Sequence, residues 1–330
     1  MTTTQAHTGR ETAADMAAVA SLLEMADRLG VLHVLRRDGG FRTADLAREA
    51  DIPEAGAAAY LEALTNAALV LPDGDGFRAC DDLAERIYES GYMSWTLNAN
   101  RPFIENVKEF LRDPLTARQQ FHRDGRQVAV SSEWMGSFAF YPIALATIRE
   151  AKPSRVVDLG AGTARLLIEI LGDFPEATAV ALDLDGPSCA EARRAADKAG
   201  VGSRLTVYER SIQSVATDAT PVEGADVVHA GFVFHDMMPE EEHIADAVLH
   251  NCHDALKPGG IMAITDAVPY VQNERERRFS TMVTYYHRQF MGRKLLTEEE
   301  WLAKLSGAGF RDVSCAPHRF PTGRLFVATK

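Results

Sequence analysis

The pattern of apolar and polar positions divides the chain into a helical first part and a second part in which short apolar runs alternate with helical segments. Residues 12–37 carry apolar side chains at the spacing of one helix face, and residues 41–50 and 53–68 are predicted to form two further helices. Residues 69–71 and 77–79 flank an Asp-Gly-Asp-Gly turn, which predicts a β-hairpin. Three helices followed by a hairpin are the order of a winged helix.

Short apolar runs in the second part predict buried strands. The first run, VVDL at residues 156–159, follows Pro153 and leads into a helix predicted at residues 164–171. Further strands are predicted at 179–183, 205–208, 225–229 and 261–265, and the fourth is expected to run on into 232–236. Residues 312–318 and 325–329 predict a closing hairpin. Strands alternating with helices indicate an α/β fold with a parallel sheet.

A glycine turn between the first strand and its helix carries the clearest chemical signal. Gly160 and Gly162 allow a sharp turn and a close approach to a ligand, and the helix start offers free N–H groups. Asp183 ends the next strand about 20 residues further on, where such folds bind a ribose diol. Ala164 and Arg165 occupy the place of the third glycine of the dinucleotide motif, which disfavours NAD. The sequence therefore predicts a nucleotide site of another kind.

Composition narrows the classes of partner. The 330 residues carry a net charge of −12 and 46% hydrophobic residues, so nonspecific binding to nucleic acid is disfavoured and a sizeable core is expected. The four scattered cysteines suit a reducing compartment. No apolar run approaches membrane-spanning length, and the start of the chain lacks a hydrophobic signal segment. We expect a cytoplasmic protein with no membrane or nucleic-acid partner.

A winged helix raises the possibility of DNA binding. The second helix of the pair, EAGAAAYLEALTNAA, holds two glutamates and no Lys or Arg. A helix that reads the major groove needs cations and amide side chains. A regulator that senses a nucleotide cofactor is therefore the least favoured alternative.

The D-L-G-A-G turn, the acidic second strand and the order of the later strands resemble the class I methyltransferases that depend on S-adenosylmethionine (SAM). More narrowly, the chain resembles the O-methyltransferase-like group. This resemblance implies a Rossmann-like, seven-stranded sheet at residues 146–330, a winged-helix dimerisation domain at 1–97 and a helical linker at 98–145 that contributes to the substrate cavity. It implies a homodimer in secondary metabolism, such as antibiotic biosynthesis. The implied SAM-binding residues are Asp158, Gly160, Ala161, Gly162, Asp183, Ser211 and Gly231.

His235 and Asp236 follow the fourth predicted strand, at the sheet edge where open α/β folds place their active sites. In the O-methyltransferases that the chain resembles, a His-Asp pair here supplies the general base that removes a hydroxyl proton. His287 lies in a predicted helix at residues 277–290, at the border of its apolar face. The chain then reads MGRKLLT where those enzymes have a G-G-x-x-R-T stretch, which weakens the plain O-methyltransferase interpretation.

His287 follows His235 by 52 residues (287 − 235), a spacing that resembles a group of bacterial C-methyltransferases acting on the β-carbon of 2-oxo acids. That resemblance implies a non-haem iron, or another divalent metal, bound by His235, Asp236 and His287. It suggests that Trp95, Asn100 and Arg123 hold a substrate such as phenylpyruvate or a branched-chain 2-oxo acid. Chelation would stabilise the enolate that such a reaction needs. The main hypothesis is therefore this C-methylation, and the alternative is a metal-free O-methyltransferase with His235 as base.

Overall fold

The computed structural model describes residues 13–330 as a helix-rich first part followed by a mixed α/β part. The helices, in chain order, are α1 (Ala13–Arg28), α2 (Leu32–Leu35), α3 (Thr43–Ala50), α4 (Glu54–Asn66), α5 (Leu83–Met93), α6 (Arg101–Glu105), α7 (Val107–Arg112), α8 (Pro114–Gln120), α9 (Gly125–Ala139), α10 (Tyr141–Glu150), α11 (Arg165–Asp173), α12 (Gly186–Lys198), α13 (Glu242–Ala255), α14 (Arg277–Tyr285) and α15 (Glu298–Gly307). The strands are β1 (Val70–Asp73), β2 (Gly76–Ala79), β3 (Arg155–Leu159), β4 (Thr178–Asp183), β5 (Leu205–Glu209), β6 (Val227–Gly231), β7 (Ile261–Ala267), β8 (Arg311–Pro317) and β9 (Gly323–Thr329).

The chain forms two compact units. One holds the described part of residues 1–107 together with 121–138, and the other holds residues 108–120 and 139–330. The predicted linker at 98–145 is thus divided between the units. The three-part domain division stays a prediction.

The first unit contains the predicted helices and hairpin. The helix predicted at 12–37 is divided into α1 and α2, because Gly30 adopts a left-handed conformation with φ of +71° and ends the helical path. Residue 12 and the predicted loose tail at 1–10 lie outside the described residues. The hairpin pairs β1 with β2 in antiparallel register, Val70 opposite Ala79. The assignment of this first unit as a winged helix and its role in dimerisation stay predictions.

The second unit is built on a seven-stranded sheet in the order β5-β4-β3-β6-β7-β9-β8. Strands β3 to β7 run parallel, and β9 lies antiparallel between β7 and β8. The predicted α/β fold with a Rossmann-like seven-stranded sheet is therefore confirmed. The parallel strands end at one edge, where the Gly160 turn and residues 232–236 follow.

Both faces of the sheet are covered, which explains why its strands are continuous apolar runs. On one face, Val156 and Ala181 pack with Ile148 of α10 and Leu167 of α11. On the other face, the sheet packs against Leu249 of α13 and the buried Trp301 of α15.

Two predicted elements differ from the structure near this edge. β6 ends at Gly231, because Phe232 takes a left-handed conformation with φ of +55°, and Phe234–Met237 form a short 3-10 helix. The helix predicted at 277–290 is α14 followed by a π-helical segment, Tyr286–Met291. No helix in residues 13–330 combines the length and apolar character needed to cross a bilayer.

Candidate functional site

The glycine turn after β3 forms as the sequence predicts. Gly160 and Gly162 have φ of +75° and +54°, a region that favours glycine. A Cβ atom at Gly160 would lie 2.3 Å from Cγ1 of Val233, so no larger residue fits there without displacing Val233. The backbone N–H groups of Gly160 and Ala161 donate to the carbonyl of Leu182, at 2.7 and 3.1 Å. The turn is therefore held against the end of β4.

Asp183 stands at the end of β4, beside the turn. Its carboxylate accepts hydrogen bonds from the backbone N–H groups of Gly162, at 2.8 Å, and Asp185, at 2.9 Å. Ser211 directly precedes a 3-10 helix after β5, and Gly231 is the last residue of β6. The predicted SAM-binding residues thus gather at the carboxyl edge of the sheet. Their role in binding stays a prediction.

A small cavity of about 60 Å³ lies beside the glycine turn. Its lining includes Asp158, whose Oδ1 lies 2.7 Å from Nδ1 of His229 on β6, with both side chains buried. His229 Nε2 and the hydroxyl of Thr265 on β7 are buried and lack hydrogen-bond partners among the described residues. Unpaired buried polar atoms at such an edge fit a polar ligand such as SAM.

The SAM-binding residues predicted from the sequence did not include His229 and Thr265. Each is a polar residue inside an otherwise apolar strand, VVHAG and IMAITDA, and that interruption was the available signal. Register pairs His229 with Asp158 and Thr265 with Gly231, so their side chains share one face of the sheet.

His235 lies in the 3-10 helix after β6 and is buried between two carboxylates. Its Nδ1 is 2.7 Å from Oδ1 of Asp266, which is fully buried at the end of β7. Its Nε2 is 3.2 Å from Oδ1 of Asp236, whose side chain is about half exposed and also pairs with Arg293 at 2.8 Å. Asp266 is therefore the closer and more buried partner, and the sequence-based set lacked it. Only the folding of β7 beside β6 brings the two residues together.

Opposing effects act on the pKa of His235. Burial lowers the pKa, whereas the charges of Asp266 and Asp236 and the hydrogen bond to Asp266 raise it more. The net result is a pKa above the ordinary value of 6.5. His235 can therefore take up a proton in a site from which water is largely excluded.

His287 is the second histidine at this site. Its ring lies 5.0 Å from the His235 ring, centroid to centroid, at an interplanar angle of 86°. Its Nδ1 contacts the carbonyl of Val283 at 2.8 Å, which directs Nε2 away from the helix backbone. The π-helical segment holds His287, and such segments are frequent at functional sites.

The guanidinium of Arg118, on α8 of the same unit, supports this segment. It donates hydrogen bonds to the carbonyls of Arg288, Gln289 and Phe290, at 3.2, 3.1 and 3.3 Å. A residue far away in sequence thus stabilises the widened turn that carries His287.

The proposed metal ligands do not form a ready ligand set. Within residues 13–330, no group of three or more His, Cys, Asp and Glu side chains is arranged to hold a metal ion. The Asp236 carboxylate is held by Arg293, and both ring nitrogens of His235 face carboxylates. A metal bound by His235, Asp236 and His287 would compete with Arg293 for the Asp236 carboxylate.

The predicted substrate residues Trp95, Asn100 and Arg123 lie in the first unit. The Asn100 side chain donates to the Trp95 carbonyl at 2.7 Å, and its own Oδ1 is buried without a hydrogen-bond partner among the described residues. A role in substrate binding stays a prediction for all three.

Parts of the sequence are similar to known methyltransferases and to related enzymes. Residues 157–262 match a family described as a methyltransferase domain. Aclacinomycin 10-hydroxylase RdmB of Streptomyces purpurascens is 32% identical over 154 residues, which cover 47% of this chain and 39% of that protein. The 2,7-dihydroxy-5-methyl-1-naphthoate 7-O-methyltransferase of Streptomyces carzinostaticus is 30% identical over 40% of this chain and 37% of that protein. The matched regions thus span less than two fifths of these relatives.

Solved structures match over almost the whole chain. Human N-acetylserotonin methyltransferase in complex with SAM gives a TM-score of 0.60 with 17% identity, covering 96% of this chain and 95% of that chain. PigF with SAH gives a TM-score of 0.59 with 20% identity, covering 94% and 96%. At this identity the likeness concerns the fold. The chain therefore has the class I methyltransferase fold of the O-methyltransferase structures, and its residues 157–262 are similar to the methyltransferase-domain family.

Proposed function

We propose that this protein is a SAM-dependent methyltransferase for a small molecule of secondary metabolism, and that it methylates a hydroxyl oxygen with His235 as general base. The observation that carries the proposal is the buried His235–Asp266 pair at the carboxyl edge of the methyltransferase domain, beside the glycine turn. The 7-O-methyltransferase among the relatives supports oxygen as the acceptor.

SAM, when bound, supplies an electrophilic methyl group. In the neutral ring, an Nδ1–H that donates a hydrogen bond to Asp266 leaves Nε2 of His235 as the basic nitrogen. Nε2 removes the acceptor's hydroxyl proton as the oxygen attacks, and Asp266 stabilises the imidazolium that results. Asp236 Oδ1 lies 3.2 Å from Nε2 and 2.8 Å from the Arg293 guanidinium, so the Asp236 side chain must turn from Nε2 to leave room for the hydroxyl.

The test combines cofactor binding with turnover on phenolic acceptors, including dihydroxynaphthoates. His235→Gln should reduce methyl transfer by about 10²–10⁴-fold, the usual contribution of a general base, while SAM affinity stays unchanged. His250→Gln is the matched control, because His250 is an exposed histidine on α13 paired with Asp254. Unchanged turnover in His235→Gln would contradict the proposal.

Product analysis must accompany this assay, since one relative is named a hydroxylase. Mass spectrometry should show S-adenosylhomocysteine (SAH) and a product heavier by one methylene. Wild-type protein that binds SAM without ever forming SAH would point to chemistry other than methyl transfer.

A second candidate is the metal-dependent C-methylation of a 2-oxo acid. It is favoured by the proximity of His235 and His287, whose rings are 5.0 Å apart, and of His235 Nε2 and Asp236 Oδ1, at 3.2 Å. The ion pair between Asp236 and Arg293 is the observation against it.

Two measurements separate the candidates. Oxygen methylation should survive EDTA and the His287→Ala substitution, whereas metal-dependent C-methylation should be lost in both. Phenylpyruvate and 4-methyl-2-oxopentanoate are the acceptors to assay, because their C-methylated products keep a free carboxylate and ketone. Elemental analysis of protein purified without chelators completes the comparison.

A further inference from the structure

The His229–Asp158 pair is a buried titratable group that the proposed reaction does not use. His229 is 5% exposed, and its Nδ1 lies 2.7 Å from the Asp158 carboxylate. In the neutral ring, an Nδ1–H that donates to Asp158 leaves Nε2 as a hydrogen-bond acceptor. That acceptor has no hydrogen-bond partner among the described residues.

The cavity beside Nε2 is polar on one side and small. The ring of His229, the Thr265 hydroxyl and the Gly231 backbone line it, together with the turn at Gly160 and Ala161. A Cβ atom at Gly231 would lie 3.4 Å from Cε1 of His229, at ordinary van der Waals distance, so Gly231 lies directly beside the ring. A volume of about 60 Å³ admits a group of a few heavy atoms and no nucleoside.

The charge of the residues that line the cavity indicates which kind of ligand group it would hold. Among the residues that line the cavity, the Asp158 carboxylate is the formal charge, and no Lys or Arg is included. The unpaired atoms, His229 Nε2 and Thr265 Oγ1, can both accept hydrogen bonds. An ammonium group supplies three donors and a positive charge, and it is as compact as the cavity requires.

We infer that His229, held by Asp158, is a cofactor-binding residue that accepts a hydrogen bond from the α-ammonium group of SAM, with the Thr265 hydroxyl as a second acceptor. This inference rests on the proposed use of SAM. It assigns the amino-acid end of the cofactor to the cavity and leaves the nucleoside to the Asp183 side of the glycine turn.

Calorimetry with four ligands tests the inference: SAM, SAH, decarboxylated SAM and 5′-methylthioadenosine. The first three carry the amino group, decarboxylated SAM lacks the carboxylate, and methylthioadenosine lacks both. The variant is His229→Asn, whose amide can keep the hydrogen bond to Asp158 but has no atom at the position of Nε2. Thr265→Val is the second variant, because it removes only the hydroxyl from a side chain of the same shape.

His229→Asn should weaken SAM, SAH and decarboxylated SAM about tenfold, as expected for one charge-assisted hydrogen bond, and leave methylthioadenosine unchanged. Thr265→Val should show the same pattern with a smaller loss. His250→Asn, at an exposed histidine, should change none of the affinities.

Three outcomes would overturn the inference. Equal weakening of all four ligands would mean that His229 has only a structural role. Unchanged affinities in both variants would mean that the cavity holds only water. Loss confined to SAM and SAH would mean that Nε2 binds the carboxylate. Wild-type protein that binds none of the four would refute the proposed function itself, a result distinct from these three.

Discussion

Replacing Asp266 by Asn tests whether the buried carboxylate controls the proton affinity of His235. Asp266 Oδ1 contacts both His235 Nδ1 and the backbone N–H of Ala267, each at 2.7 Å. Asn is nearly isosteric, and its amide oxygen in the position of Oδ1 can accept both hydrogen bonds, so the substitution removes mainly the negative charge. In the variant, burial still lowers the pKa of His235. The remaining carboxylate that raises this pKa is Asp236, whose side chain is about half exposed.

The size of the effect follows from the geometry. Two unit charges about 4 Å apart interact by about 4 kcal/mol at an effective dielectric constant of about 20. The Asn side chain and Asp236 retain part of this stabilisation. We therefore expect the pKa of His235 to fall in Asp266→Asn, because the carboxylate whose charge raises it is gone while burial still lowers it.

The assay is the pH dependence of methyl transfer under saturating cofactor, with His235 followed in parallel by NMR. In the wild type, the acid limb should have its midpoint above 6.5, since the neutral imidazole is the active form. In Asp266→Asn the midpoint should move to lower pH. Asp254→Asn, which removes an exposed carboxylate from α13, should leave it unchanged.

Stability gives an independent check with a defined sign. Because folding raises the pKa of His235, protonated His235 stabilises the wild type fully below pH 6.5, and this contribution is lost as pH rises through the folded-state value. The difference in unfolding free energy between wild type and Asp266→Asn should therefore shrink as pH increases. If the acid limb of the pH–rate profile keeps its midpoint or moves to higher pH in Asp266→Asn, the electrostatic reasoning is refuted.

Three further predictions concern other parts of the protein. Gly160→Val should abolish SAM binding measured by calorimetry, because even a Cβ atom there would lie 2.3 Å from Val233 and the backbone has φ of +75°; retained affinity would contradict the placement of the cofactor. Arg118→Ala should lower the unfolding free energy by about 1–3 kcal/mol in denaturant titrations, since it leaves three carbonyls of the π-helical segment without the Arg118 donor. Arg112→Ala is the control, and an equal loss of unfolding free energy in both variants would exclude a specific role for Arg118. Light scattering should show a homodimer, because Met16 and Met25 of α1 are 37% and 51% exposed; a monomer at micromolar concentration would exclude this, and Met25→Lys should weaken a dimer that forms through α1.

The sequence alone determined the second unit's architecture, because its signals are local. Apolar runs such as VVDL can be buried on both faces only in a covered parallel sheet, and Gly160 and Gly162 mark the turn wherever the strand lies. The position of His235 after the fourth strand placed it at the carboxyl edge of the sheet for the same reason. Local patterns were less reliable where the backbone departs from regular geometry, as at Phe232 and in the π-helical segment.

Only the tertiary structure decided which polar groups meet. Asp266 lies 31 residues from His235 and Asp158 lies 71 residues from His229, and strand register brings each pair within 2.7 Å. Periodicity assigns a residue to a face of one strand but does not say which side chain on the neighbouring strand lies opposite. The unpaired Nε2 of His229 likewise becomes visible only when every surrounding atom is in place, because a missing partner is a property of packing in three dimensions.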